Sequence, residues 1–385
     1  MNNRPLNIID FGMACSLGTS KEDIWRGLLS GDTSGVARRF FYDMERHIAL
    51  INGEHRNINY ISDLALESIA PAIEKAISKF GKTRVAVLNG TCYKGSNATV
   101  NALRIYRETG KFPDDCKLEV LQADYPAKFI AKKFGIEGMT ISHSTACASS
   151  VSAMISAKKM FEAGMCDAAI VGGTDVISDT IMLGFSALEA ISPDLCNPFS
   201  VNRSGTTLGE GAAFFLLANG DEFSFDSRIV GIGESADASH MTAPIESGEG
   251  AKKAMTLALA NAGLKSDDID YLNLHGTGTK LNDAMESIAV SSIFPDTLPV
   301  SSTKPLTGHV LGAAGALELA FCCLALSSKN KEKFLPPHIW DGVFDPALPH
   351  LNFIPKGTKY NRLKRCMSNS FAFGGYNASV IVEGT

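Results

Sequence analysis

Ser142–Ala163, SHSTACASSVSAMISAKKMFEA, joins the end of an apolar run to a stretch with helical periodicity. Upstream, Met139-Thr140-Ile141 reads as the end of a buried strand. Downstream, Val151, Met154, Ile155 and the run from Ala157 to Phe161 recur at helical spacing. Cys147 stands at the junction, among small residues. At a helix start the unpaired backbone N–H groups and the helix dipole favour an anion, and the thiolate is the form of cysteine that attacks. That position predicts a nucleophile with its thiol pKa below the ordinary value. The competing reading is a small buried hydrophobe, because free cysteine is among the most buried residue types.

Around this junction the chain repeats itself. In the first part Leu6–Asp10 reads as a strand running into a turn over Gly12–Gly18. A helical pattern from Ile61 to Phe80 follows, interrupted by Pro71, and then the strand Arg84–Leu88, closed by Asn89-Gly90-Thr91. After the Cys147 element come an apolar strand ending in Gly172-Gly173-Thr174-Asp175 and another over Ala213–Ala218, separated by a long loop-rich section. From Ile229 the order begins again: a strand, a helix over Ala251–Ala262, and the strand Tyr271–Leu274 closed by His275-Gly276-Thr277. Then come Leu298–Ser301, an alanine-rich helix over Ala313–Ser327 and a last strand over Ala378–Glu383. The spacing predicts a duplicated α/β unit, divided into 1–225 and 226–385, with strand ends of both halves meeting where ligands of α/β folds bind.

The composition bounds the function. With 385 residues, 45% of them hydrophobic, there is ample material for a core, and the formal net charge of −5 gives no support to a nucleic-acid partner. The nine cysteines are scattered, odd in number and without a C-x-x-C pair, which is the pattern of a reduced, cytoplasmic protein. No apolar stretch is long enough to span a membrane, and no spacing marks a metal site or a cofactor.

Two histidines join Cys147 as candidates for chemistry. His275 follows an apolar strand in LNLHGTGT, and His309 stands at the expected helix start in STKPLTGHVLGAAGALE, which also carries Lys304 and Glu318. Each histidine sits at a glycine-flanked edge, where a neutral, hydrogen-bonding imidazole serves near pH 7. Lys304 supplies positive field; Glu318 orients Lys304 or water, or faces solvent. In NSFAFGGYN, Asn369–Asn377, Phe371 and Phe373 flank a turn that reads either as a loop with an aromatic plug or as a core turn.

TACASS around Cys147, HGTGT around His275, STKPLTGH before GAAGALE, and NSFAFGGYNAS resemble the β-ketoacyl-acyl-carrier-protein synthases of the type I/II group. The resemblance runs over nearly the whole chain and takes in Gly172–Asp175, Asn202–Ala213 and Ser235–Pro244. It implies a thiolase-like αβαβα sandwich built from two βαβαβαββ halves. It implies Cys147 as acyl acceptor, His275 and His309 on the malonyl thioester, and Lys304 with Glu318 as a supporting charged pair. Backbone N–H groups of Cys147 and Phe373 form the implied oxyanion hole; Phe373 is the gate, with Phe371, Thr277, Thr279 and Thr206 around the substrate. The implied partners are acyl carrier protein and a second ketosynthase-like chain, identical or paralogous, with fatty-acid, polyketide or polyene synthesis as the setting. Carrier proteins being acidic, Arg38-Arg39, Lys132-Lys133 and Lys252-Lys253 are candidate docking clusters. The alternative is a non-catalytic chain-length-factor-like partner, a role that typically lacks the cysteine. Ala372, Tyr376 and Thr206 depart from the family's usual glycine, threonine and aromatic residue.

Overall fold

The computed structural model describes residues 5–41, 44–51, 57–93, 95–114, 116–219 and 223–385. The first half runs β1 (Leu6–Ala14), α1 (Lys21–Ser30), β2 (Val36–Phe41), β3 (Met44–Ala49), α2 (Ile58–Glu67), α3 (Ala70–Phe80) and β4 (Val85–Gly90). It continues with α4 (Ser96–Thr109), α5 (Tyr125–Phe134), β5 (Thr140–His143), α6 (Ser149–Glu162), β6 (Ala168–Asp175), α7 (Asp179–Ala187), β7 (Leu208–Gly209) and β8 (Gly211–Ala218). The second runs β9 (Ser227–Ala236), α8 (Glu249–Ala262), β10 (Tyr271–Asn273), α9 (Lys280–Ser291), β11 (Pro299–Ser301) and α10 (Lys304–Thr307). It ends with α11 (Ala314–Leu326), β12 (Asn352–Phe353), β13 (Arg365–Ala372) and β14 (Tyr376–Gly384).

The large sheet has the order β12-β11-β10-β13-β14-β9-β1-β8-β6-β4-β5. Numbering the shared strands of each half from its own start, both halves read 3-2-4-5-1, and their first strands meet at a seam where Leu6–Ile8 pairs antiparallel with Ser227–Ile229. Strand residues alternate between two cores, as the period of two requires. On β4, Val85 and Val87 face one cluster with Ile61, Ile73 and Ile130 of the outer helices α2, α3 and α5, while Ala86 and Leu88 face another. That second cluster holds Met154 and Phe161 of α6 with Leu317 and Phe321 of α11, and it also takes strand residues of the second half such as Val380 and Val382. On the far side, Met255 and Leu259 of α8 and Met285 of α9 pack with Leu272, Met367 and Ile381. The result is five layers, helix-sheet-helix-sheet-helix. Burial on both faces explains why the strands read as continuous apolar runs.

Several sequence expectations shift. β1 continues through the predicted turn as far as Ala14, and the tight turn is Cys15–Gly18. Pro71 lies in the first turn of α3, so the break in the helical pattern falls at 68–69. The sequence over 31–60 reads as irregular and mixed and that over 113–115 as a Pro/Asp turn; the first contains the β2–β3 hairpin, and its positions 42–43 and 52–56, like Asp115 of the second, lie outside the described residues. The loop-rich section holds α7. Helix α9 and strand β13 were not expected. Among the described residues no helix is long and apolar enough to cross a membrane.

Candidate active site

Both central helices start in the same way. Ala146 and Leu311 take left-handed backbone conformations, φ 48° and 51°, each opening a tight turn that leads into α6 or α11. Such angles are uncommon for residues with a side chain and are held here by surrounding structure. Cys147 occupies the first of these corners and Gly312 the second. Asp175, at the end of β6, ties the second corner to the segment after β4 by accepting from Gly312 N at 2.6 Å, from Cys92 N at 2.9 Å and from the Thr91 hydroxyl at 2.8 Å.

The second half brings its histidines to the first corner. His309 Nε2 lies 3.0 Å from Cys147 Sγ, and the His275 ring stands edge-on to that of His309 at 5.3 Å. One atom from each of Cys147, His275 and His309 falls within 4.8 Å of the others. Lys304 fixes His275 from behind: its Nζ is 3.4 Å from His275 Nδ1, donates to the His275 carbonyl, and pairs with Glu318 Oε1 at 2.5 Å. An ammonium has only donors, so it makes Nδ1 the acceptor and leaves the His275 proton on Nε2. The His309 Nδ1 has no partner among the described residues.

Burial sets the charges. It pushes the Cys147 thiol up to about 11, against the opposing pull of Lys304 and of the Phe373 and Cys147 backbone N–H groups. The expected lowering is thus reversed: the corner is buried, and removal from water outweighs the favourable groups around the sulfur. Both histidines are held well below the ordinary imidazole range by burial and by Lys304, with His309 adding to the effect on His275. The resting state is a neutral thiol beside two neutral imidazoles. The same three side chains have the donor types of a metal site, but the buried Lys304 ammonium opposes a cation there.

A cavity of about 700 Å³ opens onto this cluster. Its walls include Cys147, His275, His309, Phe371, Phe373, Thr277, Thr279 and Thr206, so eight of the ten residues expected at the site meet in one space. Lys304 and Glu318 do not line it; they lie fully behind His275, where Glu318 holds Lys304 and faces no solvent. His309 sits in the loop between α10 and the α11 corner, short of the expected helix start. Phe373 projects from the β13–β14 hairpin turn, where Gly374 and Gly375 have φ of 85° and 75°, and its ring meets that of Phe185 at 5.5 Å. Thr277 and Thr279 share a hydroxyl contact of 2.9 Å.

Sequence reading missed three buried residues that hold the histidine loop. Glu286 accepts from His275 N and Gly276 N at 2.8 and 2.7 Å. Asp283 accepts from Phe199 N and Gly278 N, and His338 accepts from Ser302 N at 3.1 Å. The signal available for the first two was a pair of carboxylates three residues apart on the apolar face of a helix.

Two family models match, "Beta-ketoacyl synthase, N-terminal domain" over residues 43–223 and "Beta-ketoacyl synthase, C-terminal domain" over residues 227–339. The chain belongs to the β-ketoacyl synthase family. It is 31% identical to nodulation protein E of Rhizobium meliloti (strain 1021), over 98% of both chains. It is 29% identical to 3-oxoacyl-[acyl-carrier-protein] synthase 2 of Staphylococcus aureus (strain COL), over 99% of this chain and 98% of the other. Among solved structures, the ketosynthase (ApeO) in complex with its chain length factor (ApeC) from Xenorhabdus doucetiae matches with a TM-score of 0.92 and 36% identity, covering 99% of this chain and 98% of that one. The fold of this synthase is therefore the thiolase-like one.

Proposed function

We propose that this synthase extends an acyl chain by two carbons through decarboxylative Claisen condensation, with Cys147 as nucleophile. The observation that carries the reading is His309 Nε2 at 3.0 Å from Cys147 Sγ, with His275 in the same cluster at the wall of an open cavity. In the first half-reaction Sγ attacks the acyl thioester carbonyl, the bond to the carrier sulfur breaks, and the thiol proton passes through His309 Nε2 to the departing sulfur. In the second, a malonyl thioester loses its carboxylate as CO2. The freed electron pair forms an enolate whose oxygen accepts from His275 Nε2–H and His309 Nε2–H. With Nδ1 unpartnered, His309 can offer Nε2 as acceptor in the first step and as donor in the second. The enolate carbon then attacks the acyl-Cys147 carbonyl, whose oxyanion meets the backbone N–H groups of Cys147 and Phe373, and the Cys147 sulfur leaves. Lys304 and Glu318 position His275; Phe373, Phe371, Thr277, Thr279 and Thr206 contact substrate.

Because the cysteine and both histidines are present and assembled, a purely pocket-shaping, chain-length-factor-like role is disfavoured. Thr206, where the family commonly has an aromatic residue, favours a polyketide or polyene chain over ordinary fatty-acid elongation. The carrier is acyl carrier protein, as in the names of the synthase relatives. Of the candidate docking cations, Arg38 already pairs with Glu45 and Asp194, and Lys133 with Asp63. A dimer with an identical or paralogous chain would use β5, which among the described residues is an edge strand bonded to β4, and the face bearing Leu103, Tyr106 and Leu118, which are 53%, 46% and 76% exposed. We assign the halves to 1–225 and 226–385, and the protein, with all nine cysteines free, to the cytoplasm.

Intact-mass measurement with acyl- and malonyl-carrier protein tests the reading. Acyl transfer should appear on Cys147 and vanish in Cys147→Ala. His275→Ala should still load while CO2 release falls at least ~100-fold, within the range of a lost acid–base or oxyanion group. An adduct that persists in Cys147→Ala overturns the assignment.

A further inference from the structure

Arg46 lies on β3, which pairs in parallel with β7 so that Ile48 faces Leu208 and Ala49 faces Gly209. Arg46 and Thr206 each stand two residues before the first of these pairs, and both line the cavity. The Arg46 guanidinium donates from Nη1 to the Glu45 carbonyl at 2.8 Å, and its Nη2 rests 3.7 Å from Met44 Sδ. Its Nε is buried and has no partner among the described residues. Of the two carboxylates on the lining, Asp237 already accepts from Asn377 Nδ2 at 2.8 Å and from Ile245 N at 3.2 Å; Glu189 sits just beyond α7 on a left-handed backbone, φ 53°.

A hydrocarbon tail offers nothing to a buried, unpaired guanidinium donor, and burying that donor against methylenes is unfavourable. An aromatic ring in place of Thr206 would occupy part of the cavity that Arg46 also lines. Threonine leaves the space open and adds a hydroxyl, itself only weakly engaged with the Thr207 carbonyl at 3.5 Å.

We propose that Arg46, in the room left by Thr206, forms a subsite that accepts an acyl chain carrying an oxygen acceptor, a carboxylate or a phenol hydroxyl, at its distal end. The inference rests on the reading of this cavity as the acyl pocket. It makes Arg46 a specificity residue for the loading step.

The test uses N-acetylcysteamine thioesters, which lack the carrier's phosphodiester, in matched pairs from four to ten carbons ending either in methyl or in carboxylate or hydroxyphenyl. Acylation of Cys147 is followed by intact mass. The wild-type protein should prefer the oxygen-ended member of at least one pair by tenfold or more in kcat/KM. Arg46→Leu should collapse that ratio tenfold, through KM, and Arg46→Lys should keep part of it; thermal melting confirms folding of each variant. No preference in the wild type, or an unchanged ratio in Arg46→Leu, overturns the proposal. So does a defect of Arg46→Leu seen only with carrier-protein thioesters, which assigns the guanidinium to the phosphodiester. In either case, acylation of Cys147 by methyl-ended thioesters leaves the condensation reading standing, whereas no acylation by any thioester removes that reading first.

Discussion

His309 and Cys147 meet as neutral partners, and this determines how the thiol behaves toward reagents. With the thiol pushed up to about 11, little thiolate exists at neutral pH, and the thiolate is the species that alkylating reagents trap. Alkylation of Cys147 by iodoacetamide, read by peptide mapping so that the exposed Cys116 does not interfere, should rise about tenfold per pH unit from pH 7 to 10. A plateau below pH 9 would contradict the assignment. The position of the residue was legible in the sequence, since small residues at a strand-to-helix junction place Cys147 at the corner where the structure has it. The sign of its pKa shift was not. It depends on how deeply the corner is buried, and the burial comes from strands and helices of the other half, which no local pattern records.

At the scale of elements, the loop carrying His275 and the corner at Gly312 are each held by a carboxylate, Glu286 and Asp175, that burial works against. Burial raises Glu286 from 4.5 to about 7 and Asp175 from 3.8 to about 7, in spite of the backbone N–H groups that favour their charged forms. A carboxyl raised on folding keeps protons that the unfolded chain has released. Its contribution to stability is therefore complete below the unfolded value and is lost as pH climbs toward the folded one. Thermal melting should show a downward slope in Tm between about pH 4.5 and pH 7 from these two groups, and Glu286→Gln should flatten it. A slope unchanged in that variant would place the titration elsewhere. Helix α9, which carries Glu286, escaped the sequence reading because Asp283 and Glu286 interrupt the apolar face that marks a helix. Strand β13 escaped for a related reason: Ser368, Asn369 and Ser370 are buried yet polar, and buried polar residues erase the alternation that identifies strands. By contrast the spacing over Tyr125–Phe134 reads as a helix on its own, and α5 has those bounds, closed by Gly135 in a left-handed conformation.

In the whole molecule, the repeated strand order confirms the duplication inferred from echoing motifs, while the five-layer stacking came only with the family resemblance. The cavity is what the two halves make together. Thr206→Phe should refill part of it, because an aromatic side chain buries roughly 150–250 Å². The expected outcome is a shorter longest product, or slower elongation of long acyl groups, with short ones spared; mass spectrometry of products reads it. An unchanged product profile in a folded variant would mean that the ring is accommodated elsewhere. The seam has a mechanical meaning as well. Cys147 belongs to one half and His309 to the other, joined in the sheet where Leu6–Ile8 meets Ser227–Ile229 and through the core that α6 and α11 share. The 3.0 Å contact is thus set by how the two halves pack, and a molecule lodged in the cavity acts as a bolt through both. Slowed amide exchange along that seam, far from any atom the ligand touches, is the sign that the bolt has been driven home.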